Sequence, residues 1–174
     1  MLPAMPDGLA ERLLAVSRIE GDFVLSSGRR SNVYFDKFRF LSEPALLGEL
    51  AAAAADLLPA GLTHLAAPEG AATLLLSAIA LRLRLPMAVV RKAPKAYGLR
   101  TRVEGSVGSD PSHRTGLIED VSTTGGQVVA AARALEEAGA TVTCILLALD
   151  RGGGRAISDA GYDVVAVASI PSAG

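Results

Sequence analysis

The 174-residue sequence predicts an α/β fold: an open parallel sheet flanked by helices, with a small N-terminal hood. Three observations lead there. From Thr63 onward, short apolar runs of strand length alternate with longer segments of helical periodicity, the pattern of a parallel sheet with helical crossovers. Some of those runs, such as 87–90, are apolar at every position, as strands covered on both faces are. Residues 116–127 read Gly-Leu-Ile-Glu-Asp-Val-Ser-Thr-Thr-Gly-Gly-Gln, a strand, a tight turn and a helix start. Open α/β sheets bind ligands at such carboxyl ends of strands.

Residues 7–17 place Leu9, Leu13, Leu14 and Val16 on one helical face, with Asp7 as the N-cap. Residues 23–36 hold two β runs around a Ser/Gly/Arg turn, a hairpin that forms the hood. Ser42-Glu43-Pro44 opens a helix, with Pro44 in its first turn, that runs through the alanine tract 51–55 to Leu58. Pro59 and Gly61 stop it. A strand 64–67, a loop 68–70, a buried helix 71–83 and a central strand 87–90 follow. After a long loop come a strand 115–118, a helix 127–138 stopped by Gly139, a strand 141–149, at best a short helix 156–160, and a closing strand 163–170. One domain is expected over 1–174, with helix and hood in 1–40 and the α/β core in 41–174.

Composition excludes several classes. A formal net charge of −1 gives no general attraction to nucleic acid or anionic membranes. The longest apolar stretch, 74–81, is far short of the roughly 20 residues that span a bilayer, and Arg82 and Arg84 follow it. Cys144 is the single cysteine, so no disulfide forms within the chain, and its apolar setting reads as a small core residue. Residues 1–7 lack a basic segment leading into an apolar one. A soluble, cytoplasmic protein is expected.

Chemistry concentrates in two stretches. Thr123, Thr124, Gly125 and Gly126 would aim hydroxyls and backbone N–H groups at one point before a helix, which makes a phosphate cradle. Glu119 and Asp120 would repel a phosphate but suit sugar hydroxyls, which donate to carboxylates. The alternative is an ordinary strand-to-helix turn whose threonines cap the helix. Against it, two acids ending a buried strand have no structural purpose. Residues 91–105 form a loop with Arg91, Lys92, Lys95, Arg100 and Arg102 around Pro94, Gly98 and Gly105. Alone it reads as a solvated basic loop. Beside a phosphate cradle it reads as a cationic lid that neutralises a leaving group.

The segment with the two acids and the Thr/Gly turn resembles the PRPP-binding motif of the type I phosphoribosyltransferases. Arg91-Lys92-x-x-Lys95-x-Tyr97-Gly98, followed by Glu104-Gly105, is similar to the catalytic loop of the orotate phosphoribosyltransferases. Phe23-x-Leu25-x-Ser27-Gly28-x-x-Ser31-x-x-Tyr34-x-Asp36 looks like that family's orotate-side hairpin, and Leu149-Asp150-Arg151 like its Asp-Arg turn. The four motifs cover about 23–155. The resemblance implies the type I phosphoribosyltransferase fold and transfer of the phosphoribosyl group of PRPP to orotate in pyrimidine biosynthesis. It places Glu119 and Asp120 on the ribose hydroxyls and Val121, Ser122, Thr123, Thr124, Gly125, Gly126 and Gln127 in the PRPP loop. Arg91, Lys92, Lys95 and Tyr97 would meet the pyrophosphate, with Lys95 and Asp120 as catalytic residues. Arg151, whose planar fork suits a carboxylate, would bind orotate with Thr123, Tyr34 and Phe35. Mg²⁺ is implied, held mainly by PRPP and water rather than by a protein cage. A homodimer with shared sites is implied too, with no nucleic-acid or membrane partner.

The sequence departs from the family at Ser122, where an aliphatic residue is usual and packing under the loop would loosen. It departs again at Ser26 and Ala71, where some members carry lysines. Two other readings stay open. A phosphoribosyltransferase for another base is opposed by Arg151 and the hairpin, and a PRPP-sensing regulatory protein by the Lys95 loop.

Overall fold

Apolar strands need cover on both faces, and the two halves of the chain each supply one layer. The structure is a computed structural model, and it describes residues 8–24, 28, 30–94, 101–106, 110 and 112–170. The chain runs α1 (Leu9–Ser17), β1 (Arg18–Val24), β2 (Arg30–Phe35), α2 (Lys37–Leu41), α3 (Pro44–Leu57), β3 (His64–Pro68) and α4 (Ala72–Leu83). It continues through β4 (Met87–Val90), β5 (Val103–Gly105), β6 (Thr115–Ser122), α5 (Gly126–Glu137), β7 (Val142–Asp150), α6 (Gly153–Asp159) and β8 (Val164–Ser169).

Among the described residues, six strands form one sheet in the order β5-β4-β3-β6-β7-β8, and β1 pairs antiparallel with β2 in the separate hood hairpin. The chain winds outward from β3 to β4 and β5, then returns to β6 on the other side of β3. The strand order therefore reverses between β3 and β6, and the crevice beyond their carboxyl ends is where such sheets bind ligands.

Alternation along β6 divides the core. Ile118 faces a layer that includes Leu13 of α1, Phe40 of α2, Leu50 of α3 and Leu76 of α4. Leu117 faces Val128, Ala132 and Leu135 of α5 and Ile157 of α6. A strand's period of two makes this split at Leu117 and Ile118, but it does not hold to the end of the strand, where Val121 packs on the Ile118 layer as well. Cys144 is buried, and burial pushes its thiol up to about 11. No described helix is long and apolar enough to cross a membrane.

Several expectations need correction. The sheet is mixed, because β5 runs antiparallel to β4 inside the long loop expected to lack structure. Three residues, Val-Glu-Gly, carry no legible period. They pair because Gly105 (φ 101°) passes so close to the Met87 carbonyl that an added Cβ would lie 2.6 Å from its oxygen. β4 is consequently one strand in from the edge, and Met87 is 41 % exposed rather than covered. β6 continues past the two acids to Ser122, Pro68 belongs to β3, and α6 starts at Gly153 rather than at residue 156. α2 was not foreseen. Its five residues alternate like a strand, but Asp36 accepts a hydrogen bond from the Phe38 N–H (3.0 Å), and Phe40 and Leu41 are buried. Asp7 lies outside the described residues, and the position before α1 is taken by Gly8 at φ 75°.

α4 ends at Arg84 in the left-handed conformation (φ 56°), with its N–H on the Ala80 carbonyl. The left-handed region favours glycine there. Arg84→Gly is expected to raise unfolding stability in urea by about 0.5–1 kcal/mol. A loss of stability would show that this helix end closes differently in solution.

Candidate active site

The turn after β6 exposes Thr123 and Thr124 and leads into α5 through Gly125 (φ 76°). No side chain caps α5. Its first N–H groups, which have no acceptor within the helix, therefore point with the positive end of the helix dipole at the mouth of the crevice. This disfavours the capping role for the threonines and leaves a surface suited to a phosphate.

Glu119 and Asp120 stand on β6 just below that turn, and both are buried. Their side chains lie close enough for Asp120 to act on Glu119 by charge and by hydrogen bonding. Asp120, like Ile118, faces the layer containing α2, where its Oδ1 accepts from Lys37 Nζ at 2.9 Å and also from the Val121 N–H. Its Oδ2 is buried without a hydrogen-bond partner. Glu119 Oε1 accepts from the Asp120 N–H at 3.1 Å. Burial, reinforced by the Asp120 charge, pushes the Glu119 carboxyl up to about 8.

The turn after β7 packs against the turn after β6 almost backbone to backbone. Ser122 pairs in register with Asp150, and its carbonyl accepts the Arg151 N–H at 2.8 Å. A Cβ added to Gly153 would lie 2.1 Å from Ser122 Oγ and 2.8 Å from Gly125 N; one added to Gly125 would lie 2.7 Å from the Gly153 carbonyl oxygen. Only glycines allow this contact. Ser122 is thus buried and closely packed, not the loosening expected of it. Asp150 Oδ1 accepts from the N–H groups of Gly152 (2.9 Å) and Gly154 (3.0 Å), which fixes the turn that presents Arg151.

The hood meets the core at this point. The Arg151 guanidinium lies 4.9 Å from the centroid of the Phe35 ring, a cation–π contact. Tyr34, on the other face of β2, packs instead on Phe23 at 5.4 Å between ring centroids. Of the two aromatic residues expected at the base, the structure brings Phe35 to Arg151 and keeps the Tyr34 ring within the hood.

On the far side of the crevice, Glu69 follows β3 and grips the stem of the basic loop. Its Oε1 accepts the Lys92 N–H at 2.9 Å, and Arg91 lies 3.7 Å from its Oε2 and 3.6 Å from Glu104. Arg91, Lys92, Arg102 and Gln127 line a cavity of about 130 Å³ between that stem and the start of α5. Lys95 and Tyr97, the two loop residues expected at the pyrophosphate, lie outside the described residues, as does Ser26. Ala71 is buried ahead of α4 with no polar group to offer.

No protein-family model matches the chain. An orotate phosphoribosyltransferase of Methanopyrus kandleri is 42 % identical over 144 residues, which is 82 % of this chain and 76 % of that protein. The orotate phosphoribosyltransferase structure from Aeropyrum pernix superposes with a TM-score of 0.75 at 31 % identity and covers 93 % of each chain. The Mycobacterium tuberculosis H37Rv enzyme in complex with PRPP gives a TM-score of 0.71 at 26 % identity, with 92 % of this chain and 93 % of that one covered.

This chain belongs to the orotate phosphoribosyltransferase family.

For an orotate phosphoribosyltransferase, one residue of the site went unread in the sequence. Lys37 directly follows Asp36, the last residue of the hairpin motif, and its side chain reaches a carboxylate 83 positions away. A single lysine in a short alternating segment gives no local signal of that contact. His64 and His113 pack together at 4.5 Å between ring centroids around the amino-terminal end of β3, at the opposite end of the sheet.

The Glu119 shift has a measurable consequence. Its carboxyl holds a proton more tightly in the fold than in the unfolded chain, where the value is 4.5. The resulting stabilisation is complete below about pH 4.5 and is lost as pH rises through about 8. Thermal melts of the ligand-free protein should therefore show stability falling across that window, and Glu119→Gln should flatten the fall. Parallel profiles for the two proteins would mean that the carboxyl is not shifted.

Proposed function

We propose that this chain transfers the 5-phosphoribosyl group of PRPP to orotate, giving orotidine 5′-monophosphate and pyrophosphate. This rests on the Gly125–Gly153 contact. It locks a phosphate-binding helix start to the turn carrying a guanidinium, with the buried acids directly below. A single domain thus holds a sugar phosphate and a planar anion side by side.

The turn 123–127 binds the 5′-phosphate, and Glu119 and Asp120 take the ribose hydroxyls. Arg151 holds the orotate carboxylate, with Thr123 at the edge of the ring and Phe35 (with Tyr34 behind it in the hood) supporting it. The ribosyl C1 loses its bond to pyrophosphate as orotate N1 bonds to it, through an oxocarbenium-like state, and the N1 proton passes to the departing pyrophosphate or to water. The protein contributes position and charge, not a nucleophile. Arg91 and Lys92, with Lys95 and Tyr97 from the loop, neutralise the departing pyrophosphate.

Mg²⁺ fits this donor set. Among the described residues no three His, Cys, Asp or Glu side chains converge on a possible metal position. The ion would be held through PRPP oxygens and water beside Glu119 and Asp120, and it would supply positive charge to the leaving group. A cytoplasmic homodimer accords with the family. The face bearing Leu74, Leu81 (82 % exposed), Leu83 and Met87 on α4 and β4 offers an apolar surface for a second copy.

Turnover of orotate, uracil, adenine and hypoxanthine with PRPP and Mg²⁺ tests the reaction, and orotate alone should be consumed. Arg151→Ala should weaken orotate use about 10–100-fold, the equivalent of one lost charge-assisted contact of roughly 1.5–3 kcal/mol, with PRPP affinity retained. An unmoved KM for orotate would assign its carboxylate to another residue.

Shared sites are tested by mixing two variants of greatly reduced but measurable activity, Lys95→Ala and Asp120→Asn. If the loop serves the partner's site, a mixed dimer has one site with both lesions and one with neither. Activity should return to about a quarter of wild type, because about half the dimers in a random mixture are mixed and each has one good site of two. No recovery after confirmed subunit exchange would place Lys95 in its own subunit's site.

A further inference from the structure

We infer that Lys37 is a positioning residue for the transfer reaction. From the N-terminal layer it occupies Oδ1 of Asp120, so that Oδ2 alone is left to accept a ribosyl hydroxyl. This rests on the proposed reaction and concerns a residue outside the family motifs set out above.

The geometry is specific at both ends. Asp120 has a side chain only 1 % exposed. Its Oδ1 is doubly engaged, by Lys37 Nζ at 2.9 Å and by the Val121 N–H, and its Oδ2 is buried with no donor. Buried acceptors are rarely left unpaired, and a hydroxyl is the donor that a carboxylate in a sugar-phosphate site would meet. Without the ammonium, both oxygens would compete for that hydroxyl and the carboxylate would be free to turn. Lys37 is also firmly mounted. It is the first residue of α2, which Asp36 caps and which Phe40 and Leu41 anchor in the core. The Asp36 N–H bonds the Ser17 carbonyl at 2.9 Å, which ties the mount to the end of α1. A rigid element holding a compact charge on one oxygen of a functional carboxylate is how a supporting shell fixes a reacting group.

A purely structural role would also explain an ion pair at a buried acid, so the test must separate the two. Wild type, Lys37→Met, Lys37→Arg, Asp120→Asn and the double variant Lys37→Met with Asp120→Asn are compared by steady-state kinetics for each substrate and by thermal melting. Lys37→Met should lower kcat/KM for PRPP about 10–100-fold, the scale of one charge-assisted hydrogen bond, and leave KM for orotate unmoved. Lys37→Arg, which restores a cationic donor, should recover most of the loss. In the Asp120→Asn background, Lys37→Met should add no further loss, because the two residues act as one unit. The double variant buries no unpaired charge, so this comparison stands even if Lys37→Met alone does not fold. Unchanged kcat/KM for PRPP in Lys37→Met would overturn the inference. So would equal losses for both substrates that track a lowered melting temperature, or additive losses in the double variant. A wild type that turns over no orotate would instead remove the proposed function.

Discussion

Two adjacent carboxyl groups buried at the end of β6 are the constraint on which the rest of the site depends. Burying a charge without a partner is among the most unfavourable things a fold can do. The Asp120 charge pushes the neighbouring carboxyl up, and the Lys37 charge, which would lower it, is the smallest influence on Glu119. The fold meets the two acids differently. Asp120 enters the layer with α2 and finds the Lys37 ammonium. Glu119 takes up a proton, with burial raising its carboxyl to about 8. One acid is held beside a cation and the other is kept largely neutral near pH 7. The pair thus presents one acceptor and one group able to donate or accept.

The same region gives up stability in other ways. α5 begins with no side-chain cap, although a Ser or Asp at such a position contributes about 1 kcal/mol to a typical helix. A capping side chain would occupy the N–H groups that a phosphate needs. Asp120 Oδ2 is likewise left without a donor in the interior. These deficits gather at the carboxyl ends of β3 and β6, while the rest of β6 is closely packed from both layers. Local rules are broken where a ligand would repair them.

Much of this was legible in the sequence. The alternation from residue 63 onward gave the sheet and its helices, and the run from Gly116 to Gln127 read as the strand end, turn and helix start that the structure shows. Arg151 was legible from its place after the next strand, and the structure sets it over Phe35. What escaped was what depends on tertiary pairing. β5 has three residues and exists only because Gly105 can approach Met87. α2 has a strand's alternation and becomes a helix because Phe40 and Leu41 are drawn into the core. Lys37 carries no local mark at all, since its meaning lies in a residue 83 positions away. The Ser122 departure was misjudged for the same reason. A small residue looks like a packing loss until Gly153 is seen pressed against its hydroxyl.

The register between β6 and β7 sets the distance between the two halves of the site. Ser122 pairs with Asp150, so both strands end level and their turns emerge side by side. The hydrogen bond from the Arg151 N–H to the Ser122 carbonyl then joins the two turns directly. A slip of one residue would displace one turn along the strand by about 3.3 Å. Reacting atoms in a productive complex stand only about 3–3.5 Å apart, so such a slip would be as large as the gap the reaction has to close. It would also turn Leu117 and Ile118 into the wrong layers and bring a side chain to bear where Gly125 and Gly153 now touch. Core packing and the geometry of group transfer are therefore set by one register. The contact of Gly125 with Gly153 is where a shift in either would first be felt.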